Sequence, residues 1–236
     1  MSRTRNSRIK LAVEEKYSNF ALKGYTSSCC GIVGSSVPRS ATEVALGCGS
    51  PLDYARVEPG MTVLDVGCGG GVDVFAASKK VGQEGKVIGV DSTAKMVARA
   101  KRTAEENGYL NVEFRQGEME RLPVRSNTSH LVISNCAVNL VPAKRMAFLE
   151  MHRVLKKGGS LVISDIVAEK DLPDQSRSDL SKWSRCMAGA LTLRGLKRVL
   201  SSTGFTGFEV LESREWAKGR AEGLPLLSVT FTATKS

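Results

Sequence analysis

The five residues Thr62–Val66 form a short, mostly apolar run that ends in the turn Gly67-Cys68-Gly69-Gly70-Gly71, and helix-forming residues follow over Val72–Val81. A strand without polar alternation must be covered on both faces, and that requirement points to a parallel sheet with crossover helices. Glycines after such a strand let the backbone turn tightly and approach a ligand with no Cβ in the way. The alternation continues along the chain. Residues 86–90, Val112–Gln116, 130–134 and 160–165 read as strands two to five. Residues 93–107 read as an amphipathic helix, with Met96, Val97, Ala100 and Ala104 on one face. Residues 143–155 read as the helix before strand five, with Lys156-Lys157-Gly158-Gly159 closing it in basic residues and glycines. A helix over 191–203 stops at Gly204, and strands near 208–212 and 227–234 bring the total to seven. The expected fold is α/β and Rossmann-like: a mostly parallel seven-stranded sheet with helices on both faces.

Two segments lie outside this alternation. Residues 1–60 carry a helix from about 8 to 25, a Ser/Gly/Cys loop and a shorter helix. Residues 166–190 are inserted after strand five. Open α/β sheets bind ligands at the carboxyl ends of their strands, so both segments read as lids over that edge. The expected organisation is an N-terminal lid over 1–60 carrying Cys29, Cys30 and Cys48, and a binding core over 61–165. Residues 166–236 would then carry Cys186 and complete the sheet.

Composition narrows the partners. The 236 residues contain no apolar run near the 18 or so needed to cross a bilayer. The net charge of +10 is dispersed and only 6% of residues are aromatic, so no basic, aromatic stripe suited to nucleic acid emerges. The charge is assigned to solubility and steering of anionic ligands. The Arg-rich start (Arg3, Arg5, Arg8, Lys10) runs into Glu14 and Glu15 and reads as the frayed beginning of a helix rather than a transit peptide. A cytoplasmic monomer with no membrane or nucleic-acid partner is expected. Six cysteines in such a chain, none spaced CxxC, favour thiol chemistry over a disulfide framework or structural zinc. His130 and His152, the only histidines, read as structural or surface residues.

The glycine-rich turn gains meaning from Asp91 at the end of strand two, 24 residues after Gly67, where a carboxylate can accept hydrogen bonds from both hydroxyls of a ribose. Together they suggest an adenosine cofactor. Val72 stands where a dinucleotide fingerprint has its third glycine, so a pyrophosphate fits less well. Residues 65–71 with Asp91, Gly117-Glu118 and Arg153-Val154-Leu155-Lys156-Lys157-Gly158-Gly159 resemble the pattern of class I S-adenosylmethionine methyltransferases, with Lys157 in place of the usual proline. The resemblance implies that Asp65, Gly67, Cys68 and Gly69 border the methionine moiety, Asp91 and Ser92 the ribose, and Gly117, Glu118 and Met119 the adenine. Asn135 would complete that set.

Three cysteines fall in expected site loops: Cys48 in Leu46-Gly47-Cys48-Gly49, Cys136 directly after strand four, and Cys186 in the post-strand-five insertion. Each alone could be a small buried apolar residue. Together they offer soft ligands to a soft centre such as As(III), whose lone pair would then be the methyl acceptor. No proton need leave such an acceptor, which accounts for the lack of a His–carboxylate pair. With Ser28-Cys29-Cys30, Ser134-Asn135-Cys136, Ile163-Ser164-Asp165 and Cys186-Met187-Ala188-Gly189-Ala190, the chain resembles the arsenite S-adenosylmethionine methyltransferase family over residues 9 to 210. The resemblance implies that Cys136 and Cys186 hold arsenic and that Cys48 joins or exchanges with them. It further implies that Cys29 or Cys30 is a redox thiol, with thioredoxin or glutathione as reductant and arsenite or its thiol conjugates as substrate. Arg185 in place of a common glycine, His130 in place of a common acid, and the lack of a longer C-terminal extension that some members carry are departures from the family pattern.

Overall fold

A computed structural model describes residues 3–24, 37–216 and 223–236. Helices α1 (Arg3–Lys23), α2 (Arg39–Thr42) and α3 (Pro51–Tyr54) precede the sheet. Then come β1 (Thr62–Val66), α4 (Val72–Val81), β2 (Lys86–Asp91), α5 (Ala94–Glu106), β3 (Val112–Gln116) and β4 (Ser129–Asn135). The second half holds α6 (Lys144–Val154), β5 (Leu155–Ala168), the short α7 (Asp174–Ser178) and α8 (Leu180–Trp183), α9 (Leu193–Ser201), β6 (Phe205–Glu215) and β7 (Leu226–Lys235).

The strand order is β3-β2-β1-β4-β5-β7-β6, with β7 antiparallel to both β5 and β6 and the other pairings parallel. The chain starts mid-sheet, runs out to β3 and returns to β4, so a crevice opens where the order reverses between β1 and β4. Period-two alternation divides the core. Val63, Leu131, Ile133 and Val162 face the side covered by α4 and α5, packing with Phe75, Val97 and Phe114. Their neighbours Leu64, Val132, Leu161 and Ile163 face the other side, packing with Phe148 and Met151 of α6 and Leu196 and Leu200 of α9. Both faces are apolar, as the unbroken strand sequences require.

Several boundaries differ from the sequence reading. Helix α6 ends at Val154, and Lys156-Lys157-Gly158-Gly159 belongs to β5 rather than to a helix end. Leu155 already pairs with Ser129, and Gly158 takes up a positive φ of 77° inside the strand. The neighbouring strand β4 outweighs local composition there. Strand β6 is longer than expected because it follows β7 through two register shifts. Two short helices, α2 and α3, replace the single one expected after α1.

Helix α1 works as a strap. Ile9 packs on Trp183 and Ala188, while Tyr17, Phe20 and Ala21 pack with Val44 and Met96. It therefore joins the post-β5 segment to α5 across the crevice. No helix among the described residues is long and apolar enough to cross a membrane.

The post-β5 segment is seated by Gly189. A Cβ there would collide with the Asn139 carbonyl oxygen and come within 2.8 Å of the Trp183 ring. Gly189→Ala is expected to destabilise the protein by about 1–3 kcal/mol in urea unfolding, because backbone must shift to make room.

Candidate active site

At the crevice the chain encloses a cavity of about 610 Å³. All ten residues expected to border the cofactor line it: Asp65, Gly67, Cys68 and Gly69 at the β1 turn, Asp91 and Ser92 at the end of β2, Gly117, Glu118 and Met119 after β3, and Asn135 ending β4. The backbone N–H groups of Gly67 and Cys68 both donate to the Val90 carbonyl at 2.7 and 3.1 Å, fastening the turn to β2. Gly67 has a φ of 81°, and a Cβ there would strike the Ala137 side chain, so only glycine fits. At Gly69 a Cβ would meet no protein atom within 4 Å, which leaves its backbone open to the cavity.

Asp91 is pinned at both oxygens, accepting from Gly69 N at 2.9 Å and Thr93 N at 2.8 Å. Burial raises its pKa, opposed by these bonds. Asp65 is pushed well above the usual carboxylate range by burial and by the charges of Asp73 and Asp91. Burial also raises Asp73 to about 6, opposed by the amide of Asn135. Three crowded carboxylates beside a glycine-lined cavity suit a ligand carrying positive charge. S-adenosylmethionine, with its sulfonium and ammonium groups and a ribose diol for Asp91, matches that donor set. Lys10 of α1 pairs with Glu118 at 2.7 Å and Glu120 at 3.0 Å, tying the strap to the loop after β3.

Three thiols gather at the carboxyl ends of β4 and β5. Cys48, Cys136 and Cys186 are all buried in one cluster with Ile166, Leu172 and Met187. Cys136 also lines the cavity. Its backbone N–H donates to the Ser164 carbonyl at 2.8 Å, and the Cys186 thiol donates to the Cys136 carbonyl at 3.0 Å. Cys48 arrives on a loop held by Asn135, whose Oδ1 accepts from Cys48 N at 3.1 Å and Gly49 N at 3.3 Å. The same side chain donates through Nδ2 to Gly49 O and to Asp73. Cys136 and Cys186 have φ values of 57° and 63°, left-handed backbone that costs a non-glycine residue energy and is found where surroundings enforce it.

The thiols are held neutral. Burial raises Cys48, while the bond with Cys136 and burial hold Cys186 well above an ordinary thiol. For Cys136 the bond from Cys186 works the other way, but Cys48 and burial outweigh it.

The sequence reading gave no role to three further residues here. Burial pushes the Tyr17 phenol well above its usual range, with the Cys186 and Cys136 thiols adding to the shift. Asp165 is buried with its carboxylate near Cys48 and Cys136, and burial raises it to about 6. Lys144, buried under Trp183, is lowered to about 8 by burial. Hydrophobic spacing along α1 could have flagged Tyr17 as inward-facing; nothing local marks Lys144. Cys68 packs in the α4–α5 core cluster, away from the other thiols. Cys29 and Cys30 lie outside the described residues. His130 is structural, its Nδ1 accepting from Thr62 N at 2.8 Å, and His152 packs edge-on against Phe205.

A family model described as a methyltransferase domain matches residues 57–218. The arsenic(III) S-adenosylmethionine methyltransferase of Chlamydomonas reinhardtii superposes with a TM-score of 0.77 at 32% identity, covering 89% of this chain and 75% of that one. The chain belongs to the arsenite methyltransferase family. The Halobacterium salinarum arsenite methyltransferase is 37% identical over 94% of this chain and 66% of its own length. The human arsenite methyltransferase is 36% identical over 61% of this chain, and the match spans 40% of that enzyme. The chain thus spans between two fifths and two thirds of these curated relatives, and as a family member it has the class I S-adenosylmethionine methyltransferase fold.

Asp91→Ala removes the brace on Gly69 and the carboxylate expected to accept from a ribose diol. Affinity for S-adenosylhomocysteine, measured by calorimetry, is expected to fall roughly 10- to 100-fold, the value of one or two bonds to a charged group. As(III) binding to the thiols is expected to change little.

Proposed function

We propose that this protein methylates trivalent arsenic held by the thiols of Cys48, Cys136 and Cys186, using S-adenosylmethionine. One observation carries the reading: three cysteines from separate segments share one buried cluster at the wall of the cavity. When bound, S-adenosylmethionine supplies an electrophilic methyl group on its sulfonium sulfur. Asp91 and Ser92 would hold the ribose, Gly67 and Gly69 the methionine portion with Asp65 beside it, and Gly117, Glu118 and Met119 the adenine.

Neutral thiols suit arsenite capture. Each As–OH exchanged for As–S releases one water, and the thiol proton goes to the departing hydroxide. Three sulfurs leave arsenic trigonal-pyramidal with its lone pair free. That pair forms the As–C bond while the C–S bonding pair stays with the departing sulfur. The chain contributes proximity and alignment rather than a general base. Arsenic is formally oxidised in the transfer, so two electrons must return. Cys29 or Cys30, closing a disulfide with a second thiol that thioredoxin or glutathione then reduces, would supply them.

Residues 1–60 and the post-β5 segment would act as lids on the 61–165 core, a reading supported by the contact of Ile9 with Trp183 and Ala188. The dispersed basic charge supports a small substrate rather than nucleic acid, and we read the protein as a cytoplasmic monomer.

The test is purified protein with labelled cofactor, As(III) and a thiol, followed by chromatographic separation of arsenic species. Wild type should yield methylated arsenic. Cys136→Ser and Cys186→Ser should each lower the rate by about 100-fold or more, the scale on which misplaced reactants lose turnover. Cys48→Ser should spare methylation of monomethylated As(III), which needs only two sulfurs. Full arsenite methylation by either of the first two variants would remove the assignment.

A further inference from the structure

An arsenic site built from thiols has no need of a carboxylate, yet one is there. The Cys48 and Cys136 sulfurs and an Asp165 oxygen all lie within 4.8 Å of one another, and all three residues are buried. The carboxylate is held in place. Its oxygens accept from Asn139 N at 3.0 Å, Asn139 Nδ2 at 2.9 Å and its own neighbour Ile166 N at 2.7 Å. Outer-shell bonds of this kind fix the aim of a ligating group.

We propose that Cys48, Cys136 and Asp165 form a second kind of site in the same place, for a borderline-soft divalent cation of the Zn²⁺ or Cd²⁺ class, which would exclude As(III). Mixed sulfur–oxygen sets suit such cations, whose tetrahedral ligands sit roughly 3.5–3.8 Å apart when metal–sulfur bonds are about 2.3 Å. Side-chain adjustments on the order of 1 Å close the observed spacing to that value. Water can take the fourth position, since the Cys186 thiol is engaged with the Cys136 carbonyl. Charge agrees as well. Two thiolates and a carboxylate, with the Lys144 ammonium bonded to the nearby carbonyls of Asn139 and Val141, leave two net negative charges for a divalent ion. Binding breaks two S–H bonds, forms two metal–sulfur bonds and passes two protons to solvent.

The full chain, metal-free and kept reduced without thiols, is titrated with Co²⁺ and then Zn²⁺, following thiolate-to-metal absorption in the near ultraviolet. One equivalent of Co²⁺ should give that absorption, Zn²⁺ should displace it, and prior As(III) should prevent it. Cys48→Ser should abolish it. Asp165→Asn should weaken Zn²⁺ by about tenfold or more while weakening As(III) by less, the ligand being lost only to the divalent ion. If Asp165→Asn does not fold by circular dichroism, Cys48→Ser decides: unchanged Zn²⁺ affinity there overturns the proposal. Undiminished Zn²⁺ binding by protein already carrying bound As(III), or no stoichiometric binding at all, also overturns it. Zn²⁺ bound by a protein that fails to take up As(III) would support the cation site while removing the arsenic reading.

Discussion

The site depends on one amide. Asn135 ends β4, where its side chain accepts from the Cys48 loop, returns a bond to Gly49 and reaches Asp73 at the start of α4. The next residue is Cys136, bonded through its backbone to β5. Thiol cluster and cofactor cavity are therefore two faces of the same short piece of backbone. Under the proposed function, the distance between the methyl donor and arsenic would be set by this part-buried hydrogen-bond network. Such networks hold geometry well only when each member is satisfied.

The electrostatics divide along the same line. On the cavity side, Asp65, Asp73 and Asp91 crowd negative charge at the crevice, where a positively charged ligand relieves it. On the thiol side, the contact between Cys136 and Cys186, with Cys48 and burial, leaves all three thiols raised above their ordinary range. Burial pushes both sets the same way, raising the carboxylates and the thiols alike.

Much of this was legible in the sequence. Both-face burial made β1, β2 and β4 apolar without alternation, and glycines marked the turn whose backbone faces the cavity. The ten positions expected to border the cofactor could be named because they lie at the carboxyl ends of β1 to β4, where a parallel sheet presents its loops, and all ten line the cavity. Less legible was anything decided by pairing at a distance. The residues from Lys156 to Gly159 carry helix-stop composition, yet they extend β5 because β4 lies beside them. Tyr17 sits 169 residues from Cys186 and Asp165 sits 117 from Cys48, and the local pattern around Lys144 gives no hint of its neighbours. Cys29 and Cys30 remain known from sequence alone.

The left-handed backbone at Cys136 and Cys186 has an evolutionary side. Glycine or asparagine would occupy those two positions with less strain than cysteine. A lineage relieved of the need for sulfur would drift toward them, gaining stability as it lost the chemistry. The identity of the residue at each position is thus a record of whether selection for thiol chemistry is still being exerted on the fold.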